Sequence, residues 1–311
     1  MGVDPSISRH IREKCGLGYT FGVMSSLVQI RSGETSAEVA HEKEQQLLSQ
    51  LASLPSVIVA LSGGIDSVYL SWAAHQALGE RALSVTALSA SYSAFDRQQV
   101  ELFLGTAGVR HEFVETHELE NPAYRVNDAN RCYYCKDELF NVLGSVARER
   151  GVTAVAYGVN ADDTSDFRPG QQAAAEHRVL TPLLDAGMNK QEIRFLAQRA
   201  GLPLWDRPAS ACLSSRLPYG TEVTPERLGL VEQGEAALRQ LGFRQFRVRL
   251  HENKLARVEI SPEELPRALS ADMAAAISAS LKAAGFTYVT LDLQGYRQGS
   301  LNENLAKSQG T

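Results

Sequence analysis

The sequence predicts an α/β fold, a parallel sheet flanked by helices, followed by a smaller C-terminal α+β unit. Three observations predict it. Short strand candidates at residues 57–61, 83–88, 111–115 and 154–158 alternate with helical patterns at 68–78, 96–106 and 136–150. Strands separated by such helical stretches read as βαβ units and hence a parallel sheet. The first run passes straight into Ser62-Gly63-Gly64 and then a helix, which puts a ligand loop at the carboxyl end of a strand. Past Thr221 the order changes to a helix at 225–241, strands at 246–250 and 256–260, a helix at 271–284 and a strand at 288–293.

A chain of 311 residues can bury two modest cores. Residues 1–36 are weakly patterned and read as a loose N-terminal extension. Leu47, Leu48, Leu51 and Leu54 then stand at helical spacing and predict a lead-in helix over 38–54. The amphipathic stretch 189–200 is a further helix, ended by Gly201 and Pro203. A Pro-, Ser- and Ala-rich loop, WDRPASACLSSRLPYG, leads to an expected boundary near Thr221, giving domains at 37–220 and 221–311.

The formal net charge of -5 gives no general signature for binding polyanions, which argues against nucleic acid as partner. No apolar run is long enough to cross a bilayer, and the first twenty residues lack a signal-peptide core. A cytoplasmic location is expected, where thiols stay reduced, so the four cysteines point to metal or catalytic sulfur before disulfides. Apolar stretches in the C-terminal unit favour a homo-oligomer.

The stretch VIVALSGGIDS, residues 57–67, carries the strongest chemistry. Glycines let backbone approach a polyphosphate without a Cβ in the way, and the following helix points its free N–H groups at the anion. No lysine follows the glycines, so this is not a Walker-type loop. Asp66 stands where a carboxylate can hold Mg²⁺ against pyrophosphate, or serve as a helix-start carboxylate favoured by the dipole; both can hold at once. Ser62 and Ser67 supply hydroxyls that either cap the helix or contact phosphate.

The second signal is Cys132 and Cys135 in RCYYCK, with the solitary Cys212 in SACLSSR. A CxxC placed just before a helix brings two thiolates near a positive dipole end, which lowers their pKa. Taken alone the pair is a redox dithiol, half of a zinc site, or chance. A zinc knuckle wants four protein ligands, whereas three cysteines suit an iron–sulfur cluster with one iron left open. Cys15 lies in the extension and reads as a bystander.

The six residues SGGIDS match the PP-loop of the ATP pyrophosphatases, which cut ATP between the α- and β-phosphates and adenylate a substrate oxygen. With NRCYYCK, YGVNADD and the following FRPG, RPASACLSSRLPYG and RVRLHENKLARVEI, the chain from about Leu47 onward resembles the LarE family of ATP-dependent sulfur transferases. That resemblance implies a PP-loop, adenine-nucleotide-alpha-hydrolase-like fold. It implies sulfuration of a pyridinium-3,5-biscarboxylic acid mononucleotide, a small-molecule substrate whose thiocarboxylate product becomes the nickel-pincer cofactor of lactate racemase. One branch of the family sacrifices a single cysteine, matching Cys212. In the other, cysteines matching Cys132, Cys135 and Cys212 bind a 4Fe-4S cluster whose open iron carries the donated sulfide. Three cysteines imply the cluster branch, with ATP and Mg²⁺ as further cofactors and a sulfide donor system as partner.

Arg216, four residues after Cys212, is expected to clamp a carboxylate or phosphate. Arg247 and Arg249 alternate with Val248 and share one strand face. The resemblance puts the mononucleotide phosphate near such arginines; the plainer alternative is a solvated face. Asp162 and Asp163 touch nucleotide or metal, or form a polar loop that Arg168 orders. His111, His117 and His251 lack metal spacing and read as surface or structural. Two rival readings are a 4Fe-4S-dependent tRNA thiolase and a nucleotide-binding regulatory module without catalysis. The acidic balance and the ACLSSR and RVRLHENKLARVEI segments stand against the first, the intact SGGIDS and matched cysteines against the second.

Overall fold

The computed structural model describes residues 21–165, 169–208 and 210–297. Cys15, Arg168 and the first twenty residues of the expected extension lie outside the described residues. The first unit runs α1 (Phe21–Ala52), β1 (Val57–Ala60), α2 (Ile65–Leu78), β2 (Ala82–Leu88), α3 (Ala94–Ala107), β3 (His111–Glu115), α4 (Pro122–Arg125), α5 (Arg131–Arg150), β4 (Ala154–Tyr157), α6 (Pro169–Glu176), α7 (Pro182–Asp185) and α8 (Lys190–Arg199). No helix among the described residues is long and apolar enough to cross a membrane.

The four strands form a parallel sheet in the order β3-β2-β1-β4. All four residues of β1 are buried, because helices cover both faces of a parallel sheet. Alternate side chains point to opposite faces. Val57 and Val59 pack with Leu47, Leu51, Val68, Leu70, Ile193 and Leu196 from α1, α2 and α8. Ile58 and Ala60 pack with Leu83, Val85, Phe140, Leu143 and Ala147 on the α5 side. The chain steps outward from β1 through β2 to β3 and then crosses back to set β4 on the other flank of β1. The switch between β1 and β4 opens a crevice at their carboxyl ends, where such sheets bind ligands.

Helices α1, α2, α3 and α5 begin earlier than the sequence pattern suggests, α1 and α5 by the most. Helix α1 starts at Phe21, inside the stretch expected to be loose, since residues 21–52 contain no proline and an anchored helix extends at one hydrogen bond per residue. Helix α5 starts at Arg131, which takes the CxxC into its first turn. Apolar periodicity, the sequence signal, sets in only later. Helix α8 keeps to its expected place through a capping box between Asn189 and Glu192, and Lys43 of α1 reaches Glu192 at 2.7 Å. Helix α1 is also tied to α2 by Tyr69, whose hydroxyl donates to Glu44 at 2.9 Å.

The second unit comprises α9 (Pro225–Gln240), β5 (Phe246–His251), β6 (Leu255–Ile260), α10 (Leu265–Ala268), α11 (Ala271–Ala283) and β7 (Tyr288–Leu291). Its sheet has the order β5-β6-β7, with β5 and β6 antiparallel and β6 and β7 parallel. The core sets Val248, Val258 and Ile260 against Leu228, Val231 and Leu238 of α9 and Leu281 of α11. It also recruits Tyr124, Leu213 and Leu217, all from before Thr221.

Gly158, just past β4, lies against the start of α2. A Cβ there would stand 2.8 Å from the Ser67 amide nitrogen and 2.9 Å from the Asp66 carbonyl carbon, both backbone atoms that cannot step aside. Gly158→Ala is expected to destabilise the protein by about 1–3 kcal/mol, read as a lower urea midpoint at unchanged slope. Gly105, within α3 and with nothing within 4 Å of a built Cβ, gives the opposite sign: Gly105→Ala should stabilise by about 0.5–1 kcal/mol.

Candidate active site

Ser62, Gly63 and Gly64 turn from β1 into α2 at the crevice between β1 and β4. Gly63 has φ +82°, and a Cβ on it would meet Val100 Cγ2 at 3.1 Å and the Asp96 carbonyl at 3.2 Å. No side chain caps α2 at Gly64, so its first amides are open to an anion. Ser67 closes the turn instead of reaching outward: its Oγ accepts from the Ser62 amide at 3.1 Å and donates to the Gly64 carbonyl at 2.9 Å. Ser62 Oγ lies 3.2 Å from Ser67 Oγ at the rim.

Asp66 projects from the first turn of α2. Its Oδ2 accepts from Lys190 Nζ at 3.2 Å, while Oδ1 is buried and has no hydrogen-bond partner among the described residues. Burial raises its pKa, and the adjacent Lys190 ammonium offsets this only in part. A buried carboxylate oxygen left bare beside a phosphate-sized turn suits a divalent cation, a hard acid that takes oxygen ligands. Lys190 and Arg207 also contact this turn, and no signal in the sequence pointed to either. Arg207 donates to the Gly63 carbonyl at 2.9 Å and pairs with Asp96. Asp162 and Asp163 fasten the loop after β4. Asp162 accepts from the Lys190 amide at 2.8 Å, and Asp163 from the Asn160 amide at 3.2 Å.

Cys132 and Cys135 are spaced i, i+3 on the first turn of α5, and Cys212 opens a short 3₁₀ turn, Leu213–Arg216. All three are free thiols; Cys132 and Cys212 are exposed and Cys135 half-buried. Cys135 and Cys212 line the same cleft as Ser62, Gly64, Asp66 and Ser67. The expected lowering of both CxxC thiol pKa values does not hold for Cys135. Burial, together with the charges of Glu118 and Cys212, pushes that thiol up and outweighs the helix terminus. Among the described residues, no three His, Cys, Asp or Glu side chains stand together as a ready metal site.

The Cys212 turn is held at nearly every residue. The Leu213 amide donates to the Ser91 carbonyl at 3.0 Å. The Ser214 hydroxyl lies 2.6 Å from the Tyr124 hydroxyl, and its carbonyl accepts from buried Arg131 at 2.9 Å. Arg249 donates to the Ser215 carbonyl at 2.6 Å and pairs with Glu259 at 2.8 Å. Arg216, expected to clamp a carboxylate or phosphate, is turned fully inward. Its Nε donates to Glu235 at 2.7 Å, and Nη1 donates to the Ala211 and Cys212 carbonyls at 2.6 and 3.0 Å. A guanidinium so engaged braces the cysteine turn and has no face left for substrate.

Arg247 and Arg249 do share a strand face, but Arg249 is buried, so the solvated-face alternative does not apply to it. Arg247 is half-buried, packs 5.0 Å from the Tyr296 ring centroid, and has its pKa lowered to about 10 by burial and the nearby Arg216 charge. The histidines stay structural or exposed: His111 bonds Thr86 at 2.9 Å, and Arg257 donates to His251 at 3.3 Å.

No model of a protein family matches the chain. It is 41% identical over 265 residues to an uncharacterized protein of Synechocystis, covering 85% of this chain and 98% of that one. It is 30% identical over 171 residues to an uncharacterized protein of Methanocaldococcus jannaschii, covering 55% and 66% of the two chains. Against the pyridinium-3,5-bisthiocarboxylic acid mononucleotide synthase of Lactiplantibacillus plantarum it is 35% identical over 273 residues, covering 86% of this chain and 96% of the synthase. An identity of that size over almost the whole of the synthase means that this chain belongs to the same family, the LarE family.

Proposed function

We propose that this protein is an ATP-dependent, AMP-forming sulfur transferase acting on pyridinium-3,5-biscarboxylic acid mononucleotide, turning its carboxylates into thiocarboxylates for the nickel-pincer cofactor. One observation carries the reading: a single cleft is lined both by the phosphate loop, at Ser62, Gly64, Asp66 and Ser67, and by Cys135 and Cys212. Activation and sulfur delivery then share one space.

A carboxylate oxygen is a poor leaving group, so the acid must be activated before sulfur can replace oxygen. Transfer of AMP from ATP to the carboxylate gives an acyl-adenylate and releases pyrophosphate. The open amides of α2 and the Gly63–Gly64 backbone receive the phosphates. Asp66, with its bare Oδ1, is the residue that would hold Mg²⁺, which neutralises charge on the departing pyrophosphate when bound. Lys190 balances the other oxygen of that carboxylate. Lys136 lines the cleft with its ammonium 5.9 Å from the Phe140 and Tyr157 ring centroids and forms no ion pair among the described residues, which suits it to a substrate anion. Of the charged side chains that line the cleft, Lys136 is the one whose sign suits a developing oxyanion.

Cys135 and Cys212 line this cleft and Cys132 lies one helical turn before Cys135 on α5; we assign these three soft donors to a 4Fe-4S cluster. When bound, such a cluster supplies a sulfide on the iron that lacks a protein ligand. The Cys212 turn, fixed by Arg216 and Arg249, keeps its thiol over the cleft. A separate donor system refills the sulfide, and the protein works in the cytoplasm as a homo-oligomer.

Anaerobically reconstituted protein is expected to convert the dicarboxylate mononucleotide to thiocarboxylate with release of AMP and pyrophosphate. Mass spectrometry beside bulk tRNA is the check; thiolated tRNA without thiocarboxylate would falsify the assignment. Asp66→Asn should slow pyrophosphate release by about 10²-fold or more with little change in Tm, because it removes the cation ligand but leaves the turn intact. Cys132→Ala, Cys135→Ala and Cys212→Ala should each abolish oxygen-sensitive iron–sulfur absorption. Conversion of Cys212 to dehydroalanine during turnover would instead establish the sacrificial route.

A further inference from the structure

The phosphate loop and the Cys212 turn belong to different cores, yet one unbroken run of side chains joins them. It begins at the Gly63 carbonyl, which accepts from Arg207 at 2.9 Å. Arg207 pairs with Asp96, and its guanidinium carbon stands 5.0 Å from the centroid of the half-buried Phe95 ring. The guanidinium carbon of Arg239, on α9, stands 4.0 Å from the same centroid. Arg239 reaches Glu235 at 3.4 Å, Glu235 holds Arg216 at 2.7 Å, and Arg216 donates to the Cys212 carbonyl at 3.0 Å. The run thus starts and finishes on backbone carbonyls of the two segments that the reaction must bring together.

Phe95 is the link where the two units meet. Two like-charged guanidiniums converge on it, an arrangement favoured by the negative face of the ring and by one carboxylate for each cation, Asp96 and Glu235. The ring is fixed from both sides of the junction. Its neighbour Asp96 is bound into the start of α3, donating its amide to Ser93 Oγ at 3.0 Å. The preceding Ala94 amide donates to Glu232 of α9 at 2.6 Å, so the second unit caps this helix of the first. Nothing in adenylation or in sulfur transfer uses Phe95 directly, since neither its ring nor Arg239 lines the cleft.

We propose that Phe95, held between Arg207 and Arg239, is a positioning residue that sets the Cys212 turn against the phosphate loop, so that occupancy of the loop fixes the placement of the cysteine. The proposal rests on the ATP-dependent reading of the loop. Its consequence is an order of events: nucleotide seated on Gly63 and Gly64 tightens the Gly63–Arg207 contact, and the ring passes that constraint to Arg239, Glu235 and Arg216.

Hydrogen exchange on the purified full chain, with and without MgATP, tests this without requiring sulfur transfer. In the wild-type protein MgATP is expected to slow exchange both over 61–68 and over 211–217, by about threefold or more. Phe95→Leu, which keeps apolar bulk but removes the ring face, should retain the protection over 61–68 and lose it over 211–217. Phe95→Tyr should restore it. In turnover, Phe95→Leu should lower kcat by about ten- to a hundredfold while leaving the KM for ATP within about twofold, as expected for a misplaced donor. Protection over 211–217 that persists in Phe95→Leu, or is absent from wild type while 61–68 is protected, overturns the proposal alone. Protection at neither segment overturns the ATP reading together with it.

Discussion

The Arg216–Glu235 ion pair, with both side chains about 2% exposed, is the contact on which the position of Cys212 depends. Two charges withdrawn from water are costly, and the geometry must offset that cost in full. Here it does so by occupying every nitrogen of the guanidinium. Two bonds go to the carboxylate, and the rest go to the Ala211 and Cys212 carbonyls and the Ser215 hydroxyl. Glu235 answers with a lowered pKa: burial by itself would raise it, but the Arg216 charge and hydrogen bonds, joined by the Arg247 and Arg239 charges, together outweigh desolvation. A pair of this kind tolerates little movement, since displacing either partner leaves a bare charge inside the second core. The cysteine turn inherits that rigidity through its own backbone.

The opposite wall of the cleft is built on the reverse principle. Asp66 keeps one oxygen bare and has its pKa raised, which leaves it poorly satisfied until a cation arrives. Gly158 lets β4 approach α2 closely enough to crowd the same turn. The cysteine turn is therefore fully bonded within itself, whereas the phosphate wall is finished by what binds there. That division makes the phosphate wall the one on which an incoming nucleotide acts first.

The parallel sheet was legible because its evidence is local: four short strand-like runs with helical stretches between them, and a central strand apolar at every position, as burial on both faces demands. The turn at Ser62–Gly64 was equally plain, since glycine pairs after a strand have few other uses. Long-range partnerships were not. Arg216 stands four residues from Cys212 and reads as a clamp until Glu235, on α9, is seen to claim it. Lys190 and Asp66 lie 124 residues apart, and Arg207 and Gly63 144 apart, separations over which no periodicity reports. The CxxC thiols were misjudged in one respect for a related reason: a helix terminus can be read from sequence, but the burial that overrides it at Cys135 comes from packing against the second core.

Helix α1 shows how far the cleft's supports extend. Through Lys43 it grips Glu192, which completes the cap that orients Lys190. Through Glu44 it grips Tyr69, one turn along the helix that carries Asp66. Lys190 and Asp66 pair directly at 3.2 Å, so a helix that bonds to neither acts as a strut between the segments bearing them. The phosphate site is in this sense a tripod whose third leg is planted outside the sheet altogether.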